Sequence, residues 1–93
     1  MNENLTAVFL NDRRFENPQP RLEVDTDKKR FAVIINGTQD GKVPSFQLGD
    51  SIKVELIGVP GTYRLIGKYK WFIANGEFTG IVEGDIPDHL QPS

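Results

Sequence analysis

The chain has 93 residues, 38% hydrophobic and 26% charged, with a net charge of −2, a composition that suits one domain with a single modest core and leaves no room for a second unit. The absence of cysteine removes disulfides and thiolate metal sites, so packing and hydrogen bonds must hold the fold, as suits a cytoplasmic protein. The small negative charge gives no global nucleic-acid signal, and no apolar run approaches the ~18 residues of a membrane span or the core of a signal peptide, so a soluble, unexported chain with no membrane partner is expected.

Nine glycines and six prolines recur at roughly turn spacing, which predicts short strands separated by turns. A first strand is expected over residues 5–10, punctuated by Asn11-Asp12-Arg13-Arg14, where Asn and Asp can bond their own backbone in a turn. Pro18 and Pro20 force an extended connection. Residues 21–25 alternate polar and apolar, as a half-buried strand does, and 31–36 is apolar on both faces and reads as a central strand. Residues 36–42 carry turn dipeptides and read as an exposed loop. Gly49-Asp50 leads tightly into 51–57, whose alternation turns Ile52, Val54 and Leu56 inward and Ser51, Lys53 and Glu55 outward. Val59-Pro60-Gly61-Thr62 has the form of a type II turn, so 51–57 should fold back on the next strand. That strand, 62–73, would span ~40 Å if straight, long for so small a domain, and Gly67 is where it can bend and so serve two sheets.

Asn75-Gly76 matches a type I′ hairpin turn and sets the register of the two strands it joins. Trp71 then faces Gly80, Lys70 faces Ile81 and Lys68 faces Glu83, with the partner strand at 78–83. Alternation places Tyr69, Trp71, Ile73, Phe78 and Val82 on one face, read as core. Lys68, Lys70, Phe72, Thr79, Ile81 and Glu83 share the other.

Together these elements predict an all-β protein: a small, partly closed β-barrel of the OB or SH3-like kind with five to six mainly antiparallel strands, a compact β-sandwich being the alternative. The barrel is expected over residues 1–84, with 85–93, which hold two prolines and no periodicity, as an extended tail.

Catalysis finds little support in the inventory. His89 is the sole histidine and lies in the tail, and Ser45, Ser51 and Ser93 have no nucleophile context, so no enzyme is expected. Asp25-Thr26-Asp27 opens like a calcium loop, but Lys29 and the missing glycine break the pattern. Asp85, Asp88 and His89 lack a second cluster, so no metal site is expected. No cofactor is expected either, since no glycine-rich loop has phosphate-binding spacing.

Charge is nevertheless uneven. Lys53, Arg64, Lys68 and Lys70 stand against the single acid Glu55, whereas residues 77–89 hold Glu77, Glu83, Asp85 and Asp88 without a lysine or arginine. If Gly67 keeps the pleat, Arg64, Lys68, Lys70 and Phe72 share one outer strand face, where cations can track phosphates and a ring can stack a base. The leading expectation is a noncatalytic module binding single-stranded nucleic acid across Lys53, Arg64, Lys68, Lys70 and Phe72. The alternative is a protein–protein, assembly or inhibitor-type domain using that face, a sheet edge or the terminal arms, with self-association allowed.

Overall fold

The computed structural model describes residues 2–16, 19–37, 46–58 and 64–87. It is all-β, and the described residues form eight strands: β1 (Asn2–Asn4), β2 (Ala7–Leu10), β3 (Arg13–Phe15), β4 (Arg21–Asp25), β5 (Arg30–Asn36), β6 (Ser51–Ile57), β7 (Arg64–Ala74) and β8 (Glu77–Asp85). All pair antiparallel in the order β1-β4-β5-β8-β7-β6-β2-β3. Among the described residues no helix is long and apolar enough to cross a membrane.

The two flanks of this sheet are one piece of chain. β1 pairs with β4 while β2, which begins after Leu5 and Thr6, pairs with β6. At the join, Leu5 donates its N–H to the Pro20 carbonyl at 2.8 Å and Thr6 donates to the Ile57 carbonyl at 3.0 Å, so consecutive residues bond to opposite flanks. That join curls the sheet into a barrel, the architecture expected from the sequence. β3 hangs outside the closed circuit as an extra strand on β2.

β7 makes the second corner. Residues 64–68 pair with β6 and residues 68–74 with β8, so the two pairings overlap only at Lys68. Gly67 sits beside the changeover, and the pleat continues through it: Leu65, Gly67 and Tyr69 are buried, while Arg64, Ile66, Lys68 and Lys70 are exposed. The bend needs close backbone approach. A Cβ on Gly84 would lie 2.6 Å from the Ile66 carbonyl oxygen and 3.1 Å from the Gly67 Cα, and one on Gly67 would lie 2.7 Å from a Val82 methyl. Gly58 does the same at the N-terminal corner, where its φ is +101° and a Cβ would meet Thr6 Oγ1 at 2.5 Å.

Inside lies one core of Leu5, Val8, Leu10, Phe15, Leu22, Phe31, Val33, Ile35, Ile52, Val54, Leu56, Leu65, Tyr69 and Val82. β5 is central, between β4 and β8. Its outward Ile34 is still only 8% exposed, standing in the ladder between Arg21 and Ile81, where a long arginine stem covers apolar surface. Phe46 packs on Phe15 and Tyr69, with ring centroids 6.4 and 5.4 Å away.

The structure corrects several expectations. The expected first strand, 5–10, begins only at Ala7, because Leu5 and Thr6 carry the chain from one flank to the other, and residues 2–4, expected as part of a terminal arm, form β1 on β4. Asn11 and Asp12, at φ 50° and 68°, do form a turn, as expected, but it reverses the chain into a further strand, β3, where only punctuation over 11–14 was expected. The expected five to six strands become eight through these two features. At the other end, Asp85 pairs with Arg30 in β8, and Ile86 packs on the core and donates its N–H to the Lys29 carbonyl at 2.8 Å. The first residues of the expected tail are therefore held. The expected turn at 59–62, most of the 36–42 loop and residues 88–93 lie outside the described residues.

The crossing gives a test of closure. Gly84→Ala must push β7 from β8 and should cost roughly 2 to 3 kcal/mol. Gly76→Ala has no atom within 4 Å of the added Cβ but keeps φ at +74°, and should cost about 1 kcal/mol. Denaturant midpoints with equal slopes check the ranking, and a Gly84→Ala variant as stable as the parent would remove the crossing from the account.

Candidate binding surface

The five expected binding residues do share the outer face of the β6–β7–β8 meander. Lys53 lies opposite Ile66 and Arg64 opposite Glu55 across the β6–β7 ladder, and Lys68, Lys70 and Phe72 continue outward along β7. A shallow concavity of about 450 Å³ lies at the β6 end, lined by Phe9, Asp12, Lys53, Glu55, Arg64 and Ile66. Asn11 holds its rim: its N–H donates to the Lys53 carbonyl at 3.0 Å and its Oδ1 accepts the Lys53 N–H at 2.8 Å.

The cations are largely answered within the protein. Lys70 Nζ lies 3.1 Å from Glu83 Oε1, and Lys68 Nζ donates to Ser51 Oγ at 2.7 Å. The expected pairing of Lys68 with Glu83 directly across the ladder is thus replaced by a diagonal one, since Lys68 turns to the β6 side where a hydroxyl is in reach. Both partners of the Lys70–Glu83 pair are more than a third exposed, so its contribution is at most about 1 kcal/mol. Acids at Asp12, Glu55 and Glu83 leave this face only weakly positive. The other candidates for chemistry have structural roles. Asp25 Oδ1 accepts the Lys28 N–H at 3.0 Å in the β4–β5 turn, and Asp85 Oδ1 lies 3.0 Å from Arg30 Nη1. Among the described residues no group of three potential metal ligands converges; Ser45, Asp88, His89 and Ser93 lie outside them.

Beyond Tyr69 the hairpin departs from the expected burial, although its register is the expected one, with Trp71 facing Gly80 and Lys68 facing Glu83. Asn75 and Gly76 take φ 53° and 74°, as a type I′ turn requires. Tyr69 is 1% exposed, but Trp71 is 46%, Phe72 47% and Ile73 64% exposed. The supposed core face is core only as far as Tyr69, because β6 ends its pairing at Lys68 and, among the described residues, no inner layer continues under Trp71. The groups over buried Gly80 are Tyr69 and Phe78, whose atoms would be 3.1 and 3.5 Å from an added Cβ. Trp71 instead stacks on Phe78, centroids 5.7 Å apart and planes at 26°. The result is a short arm, residues 71–78, with apolar side chains on both faces.

One side of this arm is covered, and along the other the described residues provide cover only at its base. Asn36 pairs with Thr79, and Gly37 donates its N–H to the Phe78 carbonyl at 2.6 Å, so β5 runs beside β8. On the β7 side, residues 47–50 form a turn with Gly49 at φ +88°, closed by the Asp50 N–H on the Gln47 carbonyl and the Gln47 N–H on Asp50 Oδ2. The Gly49 N–H and the Asp50 carbonyl bond to the Tyr69 carbonyl and N–H at 2.7 and 3.0 Å. Coverage stops there. Trp71 and Ile73 point their backbone groups to this same edge and have no partner among the described residues. Leu48, 70% exposed, flanks the base. Alternation alone puts Trp71 and Ile73 in the core and is silent on Leu48; three consecutive large apolar residues just before a hairpin turn are the signal that marks such a tip. Comparison with family models, curated proteins and solved structures finds no match for this chain.

Tyr69 closes the buried layer with a hydroxyl that has no hydrogen-bond partner among the described residues. Burial raises its pKa above the ordinary 10.0, since the phenolate is disfavoured in an apolar site. The folded value lies above the unfolded one, so this group's contribution is complete below about pH 10 and is lost as pH rises beyond it. Tyr69→Phe should be neutral or stabilising by about 1 kcal/mol at pH 7 and should blunt the alkaline loss of stability. A large loss at pH 7 would mean that the hydroxyl is bonded.

Proposed function

We propose that this protein is a noncatalytic binding module whose contact element is the β7–β8 arm and whose partner is another polypeptide. The observation that supports this is the joint exposure of Trp71, Phe72 and Ile73 at 46, 47 and 64% beside a strand edge that has no partner among the described residues. Large apolar side chains clustered at the end of a rigid hairpin are the usual anchors of protein interfaces, and an open edge can take an added strand through backbone hydrogen bonds. The cysteine-free composition suits work in a reducing compartment such as the cytoplasm.

Single-stranded nucleic acid is the second reading, supported by Arg64, Lys68, Lys70 and Phe72 on one outer face with Lys53 beside them. The internal partners of Lys68 and Lys70 and the net charge of −2 weigh against it. One pair of titrations separates the two. Extended peptides selected from a display library should shift the emission of Trp71, the only tryptophan, and lose binding in an Ile73→Lys variant, while labelled DNA and RNA single strands should not saturate at low salt. Saturable oligonucleotide binding, with a salt slope reduced by roughly one to two units in Lys68→Ala/Lys70→Ala, would replace the polypeptide reading with the nucleic-acid one.

A further inference from the structure

We propose that the open edge of β7 pairs with the same edge of a second copy of this chain, antiparallel about a twofold axis through Phe72. This rests on the reading of the arm as the docking element and names its partner.

The free edge has defined ends. The 47–50 turn blocks it at Tyr69, and the Asn75-Gly76 turn ends it after residue 74. The open positions are 70–74, and their centre is Phe72. Backbone direction fits the same centre. Because Tyr69 directs both its N–H and its carbonyl to this edge, Trp71 and Ile73 do so too, by the two-residue pleat. A twofold at Phe72 sets Trp71 of one copy opposite Ile73 of the other, twice, so each of these groups gains an antiparallel hydrogen-bonded partner. The two Phe72 rings then meet on the outer face, and Trp71 packs beside Ile73 on the other.

Charge favours this partner as well. Natural sheets protect open edges with charged residues, and the edge strand β3 carries exposed Arg13, Arg14 and, just past its end, Glu16. The arm edge has no charge from Trp71 to Gly76. In the twofold register no like charges oppose each other: Lys70 falls opposite position 74 of the other copy, whose ladder neighbour on β8 is Glu77. Lys70 thus faces the uncharged Ala74 of the mate, with Glu77 one strand further on and of opposite sign, while it keeps Glu83 of its own copy as its ion-pair partner. The contact is small, with roughly a few hundred Å² of apolar surface from each copy, so association should be weak and concentration dependent.

The cysteine-free sequence makes the test clean. Facing residues of a non-hydrogen-bonded antiparallel pair have Cα atoms about 4.5 Å apart, within disulfide range. A single Phe72→Cys chain should therefore form an intermolecular disulfide about tenfold faster than Ile66→Cys, which is open on the same strand but outside the contact. Sedimentation of the parent should show mass rising toward the dimer with concentration, and Ile73→Lys, a change at an exposed position, should hold it at the monomer. A constant monomer mass up to millimolar concentration, with Phe72→Cys no faster than Ile66→Cys, overturns the twofold contact. A parent that dimerises while the Phe72→Cys thiols fail to pair overturns it too, since the contact then lies elsewhere. If the chain stays monomeric while selected peptides still shift Trp71 emission, the arm reading stands and only the twofold falls; if the peptides also fail, both fall.

Discussion

The barrel turns on a crossing where β7 leaves β8 for β6, and two missing Cβ atoms make it possible. At Gly67 and Gly84 the strand backbones approach so closely that any side chain would meet a carbonyl or a packed methyl. Phe31 uses the remaining space, its ring edge 3.2 Å from where a Gly84 Cβ would be. A strand with side chains at both places would have to stay flat against its neighbour, and a flat sheet of this size keeps its edges open. Gly58 against Thr6 solves the same problem at the opposite corner. Between them these contacts fix where each strand changes partner, and so where the core stops.

That stopping point makes the arm. β6 lets go of β7 at Lys68, the 47–50 turn holds Tyr69, and the hairpin continues past both with none of the described residues beneath it. Tyr69 is the last layer of the interior and Trp71 the first residue outside, although both lie on one face of one strand. The outer cation face has a different character, because Glu83, Ser51 and Glu55 stand close to its lysines and arginine. The molecule therefore offers one charged face on which Lys68 and Lys70 already have partners and one uncharged apolar tip, and the second is the more distinctive surface.

Much of this is legible in residue order. Asn75-Gly76 gives the hairpin register to the residue, because a two-residue I′ turn allows no slippage. Strict alternation in 51–57 gives the correct inward set of Ile52, Val54 and Leu56, and Gly67 is visible as the bend. Alternation reports which face a side chain takes, not whether another layer covers that face, so Trp71 and Ile73 read as core when they are not. The division at Leu5 and Thr6 is hidden for a related reason: the residues are suited to extended backbone, and only the positions of Pro20 and Ile57 make the chain change flanks. Asn11-Asp12 reads as a turn, but the charged Arg13 and Arg14 that follow do not read as a strand, so β3 goes unseen. Of the binding surface, the shared face of Lys53, Arg64, Lys68, Lys70 and Phe72 is readable, whereas the diagonal Lys70–Glu83 pair depends on side-chain reach that spacing does not encode.

The N-terminal run has a kinetic consequence. β4–β5 and β6–β7–β8 are built from hairpins that can form from neighbouring sequence, but residues 2–10 bond to strands around residue 22 and residue 55. Their pairing with β6 joins residues far apart in the chain, and loop-closure entropy delays such contacts until local pairing has made a template. This run thus docks last, as the stave that closes the cask, and slow folding phases should report its docking rather than the formation of the hairpins.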